Sequence, residues 1–240
     1  MMAGGAALAG PPAGVVENIV LVHGAFADGS GWSDVADILT KEGYSVTIVQ
    51  EPETSLADDV KAVQRAVAMQ SGPAILVGHS YGGSVITEAG SDPKVAGLVY
   101  VAAFQPDAGE NTIGLIAKTP PATKGIQPTK DGFFFLDPAV YATDFAVGQD
   151  KAKASFMSRS QVMPSGAAFS AEISTPAWKS KPTWAVVATD DRMINPELER
   201  FMTKRAGSKT IEIKAGHDIY MSHAKEVAKL IVDAAAGAKK

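Results

Sequence analysis

The clearest chemical signal in the chain is Gly78-His79-Ser80-Tyr81-Gly82. It fits the pattern G-x-S-x-G, in which a serine occupies a strand-to-helix turn too tight for a side chain at either glycine. Such a turn holds the middle residue in a strained conformation and lifts its hydroxyl clear of the backbone. In a chain this rich in glycine, on the order of 0.15 matches arise by chance, so the pattern has meaning only with a strand before it and a helix after it. Both are present: residues 74–77 read as a buried strand and residues 80–89 as a helix. No lysine follows as a phosphate-binding loop requires, and Ser84, one turn on, lacks the geometry. Ser80 is therefore the candidate nucleophile, placed for acyl transfer through an ester intermediate.

A serine hydroxyl needs a base, and the base needs an acid to hold its tautomer. Four histidines are present: His23, His79, His217 and His223. His79 should be turned away from Ser80, and His223 sits near the start of the last helix on a solvated face. His217, within Gly216-His217-Asp218, follows the last strand late in the chain, where the order serine, acid, histidine places the base. The acid should follow the preceding strand, and Asp190 and Asp191 both stand there. Asp191 is favoured because it lies four residues before the helix cap at Asn195. An oxyanion requires two preorganised N–H donors. The amide of Tyr81 is one; the other belongs to the loop His23-Gly24-Ala25-Phe26, with Ala25 first and Phe26 second.

These residues must be carried by strands and helices. Apolar runs at residues 19–22, 45–49, 74–77, 95–102, 183–188 and 211–213 read as strands. Helical spacing at residues 32–41, 56–69, 80–89, 196–205 and 222–236 alternates with them. Asp58 and Asp59 suit the positive end of the second helix, and Asn195-Pro196 is a cap followed by a proline at the first helical position. Continuously apolar strands belong in sheets covered on both faces. Alternation with helices gives right-handed crossovers and a parallel, doubly wound α/β sheet, whose ligands bind beyond the carboxyl ends of the strands. Residues 104–181 break the alternation. They are too long for a plain connection and dense in Phe, Met and Trp, so they read as a cap inserted between core segments 15–103 and 182–240. Phe133, Phe135, Phe156, Met157 and Trp178 are the candidates for lining a substrate pocket from that cap.

Composition sets the outer bounds. The chain has 240 residues, 46% hydrophobic and 20% charged, with net charge -4. It can bury about 70–75% of its unfolded surface and needs no staples. Without a basic excess, nucleic-acid binding is not expected. The absence of cysteine excludes disulfides, thiolate metal sites and a cysteine nucleophile. No His/Asp/Glu cluster shows metal-ligand spacing, so the reading includes no metal and no cofactor. No run approaches the ~18 apolar residues of a membrane span. Residues 1–14 read as a flexible leader or the trimmed remnant of an export signal, which leaves cytoplasmic and exported locations both open.

His23-Gly24-Ala25, Gly78-His79-Ser80-Tyr81-Gly82-Gly83, the Asp191 loop and Gly216-His217 together resemble the α/β-hydrolase superfamily, from about residue 18 to the last helix. Within it the chain is most similar to the compact branch containing plant methylesterases and hydroxynitrile lyases. The stretches HGAFADGSGW, GYSVTIVQEPETSLADDV and LVYVAAFQPDAGE carry that likeness. The resemblance implies a six-stranded core lacking the first two strands of larger members, a cap after the fourth strand, and cofactor-free hydrolysis of small carboxylic esters. Epoxide hydrolases and haloalkane dehalogenases of this architecture place Asp where Ser80 stands. Lyases of the branch carry Lys directly after the histidine, where this chain has Asp218, and Thr after the first-loop His, where it has Gly24. Both departures favour an esterase. The alternatives are a hydroxynitrile lyase or cofactor-free perhydrolase or haloperoxidase using the same three residues, or a small-molecule receptor with little turnover. The expected partner is a small ester, and a homodimer is compatible with the reading.

Overall fold

The computed structural model describes residues 10–238. The expected leader at residues 1–14 falls mostly outside them. Six strands form one parallel sheet: β1 (Asn18–Val22), β2 (Ser45–Val49), β3 (Ala74–Ser80), β4 (Val95–Ala103), β7 (Thr183–Ala188) and β8 (Lys209–Ile213), in the order β2-β1-β3-β4-β7-β8. A separate antiparallel hairpin, β5 (Ile126–Pro128) and β6 (Phe134–Leu136), lies between β4 and β7 in the chain.

Strand periodicity divides the core in two. Ile19 and Leu21 of β1 and Ile75 and Val77 of β3 face one side, and Val20, Val22 and Leu76 the other. The first side is covered by α1 (Ser33–Lys41) and α10 (Ala224–Gly237), through Trp32, Val35, Leu39, Val227 and Ile231. The second is covered by α2 (Leu56–Ala68) and α3 (Gly82–Ala89), through Val63, Val67, Val85 and Ile86. Both faces are dry, which is why the central strands need no polar alternation. β8 is an edge, and Lys209 and Glu212 stay exposed along it, which discourages pairing with another chain.

Residues 104–181 fold as α4 (Thr112–Lys118), the hairpin, α5 (Pro138–Asp144), α6 (Lys151–Ser160) and α7 (Gly166–Ser170). Asn111, Asp137, Asp150 and Ser165 cap these short helices by accepting amide hydrogen bonds. α8 (Pro196–Ala206) is capped by Asn195 and ends at Gly207 in a left-handed conformation. Two sequence-derived boundaries differ. β3 runs on to Ser80, so the next helix starts at Gly82, because the turn itself uses Ser80 and Tyr81. The last helix is preceded by a separate turn, α9 (Ile219–Ser222), since His223 leaves helical geometry at φ -128, ψ 43. Among the described residues no helix is long and apolar enough to cross a membrane.

Candidate active site

Ser80 ends β3 at φ +53, a left-handed conformation rare for a residue with a Cβ. Close backbone packing enforces it. A Cβ on Gly78 would lie 2.5 Å from the Gly82 carbonyl oxygen, and one on Gly82 would collide with the His23 carbonyl. Gly24 is equally confined, because a Cβ there would lie 2.5 Å from Ser80 Cβ. The nucleophile turn and the loop after β1 thus touch backbone to backbone. Gly78→Ala is expected to cost about 1–3 kcal/mol of stability through overpacking, read as a lower denaturant midpoint; an unchanged midpoint would show that the turn relaxes.

His217 is placed by two contacts of known polarity. Its Nδ1 lies 2.7 Å from Asp191 Oδ2, with both side chains buried. The carboxylate can only accept, so Nδ1 carries a proton, and in the neutral ring Nε2 is then the nitrogen with the lone pair. Below it, His79 Nε2 donates to the His217 carbonyl at 2.9 Å, and the two rings lie 4.6 Å apart. Burial lowers the His79 pKa, so His79 is a neutral strut tying the His217 loop to the residue before Ser80. Ser80 Oγ and His217 Nε2 are not hydrogen-bonded to each other, and neither has another partner among the described residues. Between a candidate nucleophile and a candidate base, a bond that closes only with substrate bound is common.

Asp191 Oδ1 accepts from the amides of Met193 (2.7 Å) and Ile194 (3.0 Å), so with His217 on Oδ2 three hydrogen bonds fix this carboxylate. Asp190 is exposed and leaves the site. Arg192, beside it, pairs with Asp144 instead. Glu199 of α8, buried behind Asp191, was not evident from sequence. Burial and the neighbouring Asp191 charge push its carboxyl well above the usual range, which makes it a neutral acid there.

The amides of Ala25 and Tyr81 donate to nothing among the described residues. Phe26 differs: its N–H is taken by the Val162 carbonyl at 3.1 Å, which removes it as the second-choice donor. Its own carbonyl accepts from Tyr141 Oη at 2.8 Å.

The cavity at Ser80 is about 20 Å³, lined by Ala25, Tyr81, Phe104, Ile116, Phe169 and Met193 among others. That is roughly the space of one water. Ile116, Ile126 and Phe169 also line an apolar groove of about 410 Å³ with Ile113, Pro121 and Phe134. None of Phe133, Phe135, Phe156, Met157 and Trp178 lines the cavity at Ser80. Strand alternation explains the first two: Phe134, between them, stacks on Phe169 at 6.1 Å. Phe156 and Met157 border a separate 170 Å³ cleft beside Tyr141 and Tyr220, and Trp178 donates to the Pro106 carbonyl. Composition shows that aromatics are present in this stretch but not which side of a short hairpin they take.

The expectation that no His/Asp/Glu group has ligand spacing also needs correction. His23, far from them in sequence, comes together with Glu51 and Glu53 so that their ligand-type atoms lie within 4.8 Å of one another.

Comparison with known proteins adds a family. The model described as "Alpha/beta hydrolase family" matches residues 19–230. A carbendazim hydrolyzing esterase from Nocardioides sp. (strain SG-4G) is 35% identical over 121 residues, 43% of this chain and 49% of that protein, so the match spans about half its length. Among solved structures, a pyrethroid hydrolase from Sphingobium faniae JZ-2 superposes with a TM-score of 0.78 at 24% identity, over 92% of this chain and 98% of that one. Polyneuridine aldehyde esterase gives 0.76 at 19% identity, over 91% and 98%. These two likenesses are of fold.

Proposed function

Because the chain belongs to the alpha/beta hydrolase family, we propose that it is a serine esterase of small carboxylic esters, with Ser80 as nucleophile, His217 as base and Asp191 as orienting acid. The observation that carries this reading is the buried His217–Asp191 pair, which puts a proton on Nδ1 and so makes Nε2 the basic nitrogen of the neutral ring, on the loop braced against the Ser80 turn. The resemblance to a carbendazim hydrolyzing esterase over part of the chain supports the substrate class.

In this mechanism His217 Nε2 takes the Ser80 proton as Oγ attacks the ester carbonyl. The Ala25 and Tyr81 amides hold the oxyanion, and the alcohol leaves with the proton from His217. Water, deprotonated by the same nitrogen, then attacks the acyl-enzyme and releases the acid and Ser80. Asp191 stabilises the imidazolium at each stage without taking its proton. Residues 104–181 serve as the cap. They reach the core through the Phe26 hydrogen bonds and through Asp218, whose carboxylate accepts from the Gly148 amide (3.1 Å) and Gln149 Nε2 (2.7 Å). The position after His217 therefore carries a buried, engaged carboxylate rather than a cation for a leaving cyanide, which favours ester hydrolysis over lyase chemistry.

A fluorophosphonate probe should label Ser80 stoichiometrically, seen as a mass increase on the peptide that contains it. An unlabelled protein with no turnover of nitrophenyl acetate would overturn the assignment. The acyl group should extend toward the apolar groove past Phe169. Phe169→Ala is expected to raise kcat/KM for a nitrophenyl hexanoate relative to the acetate by about tenfold, in line with 1–3 kcal/mol for filling an apolar site. An unchanged ratio would place the acyl pocket elsewhere.

A further inference from the structure

Four buried polar groups play no part in that mechanism: His23, Glu51, Glu53 and Asp59. They lie directly behind the two segments that carry the candidate donors. His23 begins the first loop, Glu51 and Glu53 follow β2, and Asp59 stands in the first turns of α2. The Glu51 and Glu53 side chains are fully buried, and none of their four carboxyl oxygens has a partner among the described residues. Glu53 also sits at φ +53, strained backbone for a residue with a Cβ. Buried, unpaired and strained together mark a position kept for a reason other than stability.

Hydrogen bonds define the state of His23. Nε2 accepts from the Glu51 amide at 3.0 Å and Nδ1 donates to the Gly24 carbonyl at 3.0 Å. The ring is therefore neutral, and its Nδ1–H faces Glu53 Oε1 at 3.5 Å and Glu51 Oε2 at 3.9 Å. Both ring nitrogens are thus engaged, so despite the suitable spacing the imidazole has no lone pair for a metal ion. On the other side, Asp59 Oδ1 accepts from the Glu53 amide and Oδ2 from the Tyr81 hydroxyl, each at 2.8 Å.

We propose that Glu51, Glu53 and Asp59 form a brace that positions both oxyanion donors: the Glu51 amide and the two glutamic carboxyls packed against Nδ1 hold the first loop through His23, and the Asp59 carboxyl holds the Tyr81 segment through the Tyr81 hydroxyl. The proposal rests on the serine-esterase reading. His23 supplies no positive charge, so the brace works with Glu51 and Glu53 as neutral acids. Burial, with nearby Asp59 and each other's charge, raises both well above the usual carboxylate range. Burial also pushes Asp59 up to about 6, against the hydrogen bonds from Tyr81 and Glu53. The other titratable groups around the cluster are Asp28 on the first loop, Asp58 on α2 and His79 on the nucleophile turn. All three raised groups are protonated in acid. As pH rises through their raised values, like charges accumulate in a dry site, and the donor segments are driven apart.

The test is the pH dependence of kcat and KM for nitrophenyl acetate, with fluorophosphonate labelling in parallel. E53A is expected to lower kcat about tenfold or more, on the scale of a displaced donor, with KM within twofold. E53Q, neutral at every pH and of the same shape, should recover kcat to within about threefold at pH 6.5. It should also move the alkaline limb of the kcat profile up by about one pH unit or more. Tyr81→Phe keeps the amide but frees Asp59, and should lower kcat without raising KM. Three results would each overturn the brace: an alkaline limb unmoved by E53Q, a KM that rises in step with the loss of kcat, or stoichiometric binding of Mn²⁺ or Zn²⁺ that E53Q abolishes. A wild-type protein that neither labels nor turns over ester brings down the esterase reading and the brace with it. Wild type that does both while E53A and E53Q behave alike brings down the brace alone. The isosteric E53Q keeps the test usable if E53A fails to fold.

Discussion

Ser80→Ala is expected to lower ester turnover by on the order of 10⁶-fold, the scale seen when a nucleophile is removed from a unit of this kind. The change is small in volume and leaves the turn's glycines untouched, so the thermal midpoint should stay close to wild type. Residual activity should survive, because the Ala25 and Tyr81 amides still polarise the carbonyl. His217→Ala in the Ser80→Ala background should then add little, since the two act together. Measurement of kcat for the single and double variants settles the matter. Multiplicative losses, or full activity in Ser80→Ala, would mean that another group attacks the substrate.

Asp191→Asn is the more discriminating change, with an expected loss of about 10⁴-fold in kcat. The reason lies in the two amides on its other oxygen. Met193 and Ile194 both donate to Oδ1, so an asparagine must keep its carbonyl oxygen there and turn its NH₂ toward His217. Nδ1 would have to accept and Nε2 would carry the proton, leaving Ser80 without a base. Raising pH cannot restore the lone pair at Nε2. Low activity that recovers fully in mild alkali would contradict this account. Asp191→Ala should be less severe than Asp191→Asn, because the ring is then free to choose its tautomer.

Much of this site could be read from residue order alone, for physical reasons. The Ser80 turn is local: two glycines and a serine between an apolar run and a helix describe its steric problem completely. His217 and Asp191 follow as candidates from the rule that parallel sheets expose the loops after their strands; of the adjacent carboxylates, Asp191 is buried against His217 and Asp190 is exposed. The sequence was silent where position depends on which side of a short element faces inward. Phe134 rather than Phe133 or Phe135 reaches Phe169, and a three-residue strand has too few alternations to announce its inner face. The carboxyl cluster was hidden for another reason. Its three acids come from one connection, the loop after β2 and the start of α2, and each alone is an ordinary loop or helix acid. Only the fold of that connection beside the loop after β1 gathers them around His23 and Tyr81.

Phe26 is gripped on both sides by the segment proposed to roof the site: the Val162 carbonyl accepts from its amide and Tyr141 Oη donates a hydrogen bond to its oxygen. The peptide next to Ala25 therefore cannot stay still while the roof lifts. A space of about 20 Å³ holds roughly one water, so groups around Ser80 must give way if an ester is to sit there. If the proposed cap is what gives way, admission and catalytic readiness become one mechanical event. A guest that props the roof open misaligns the very amide meant to receive its charge, and one that lets it settle restores it. Selectivity in such a device is exercised after entry, in how fast a seated guest reacts, more than in how firmly it is held.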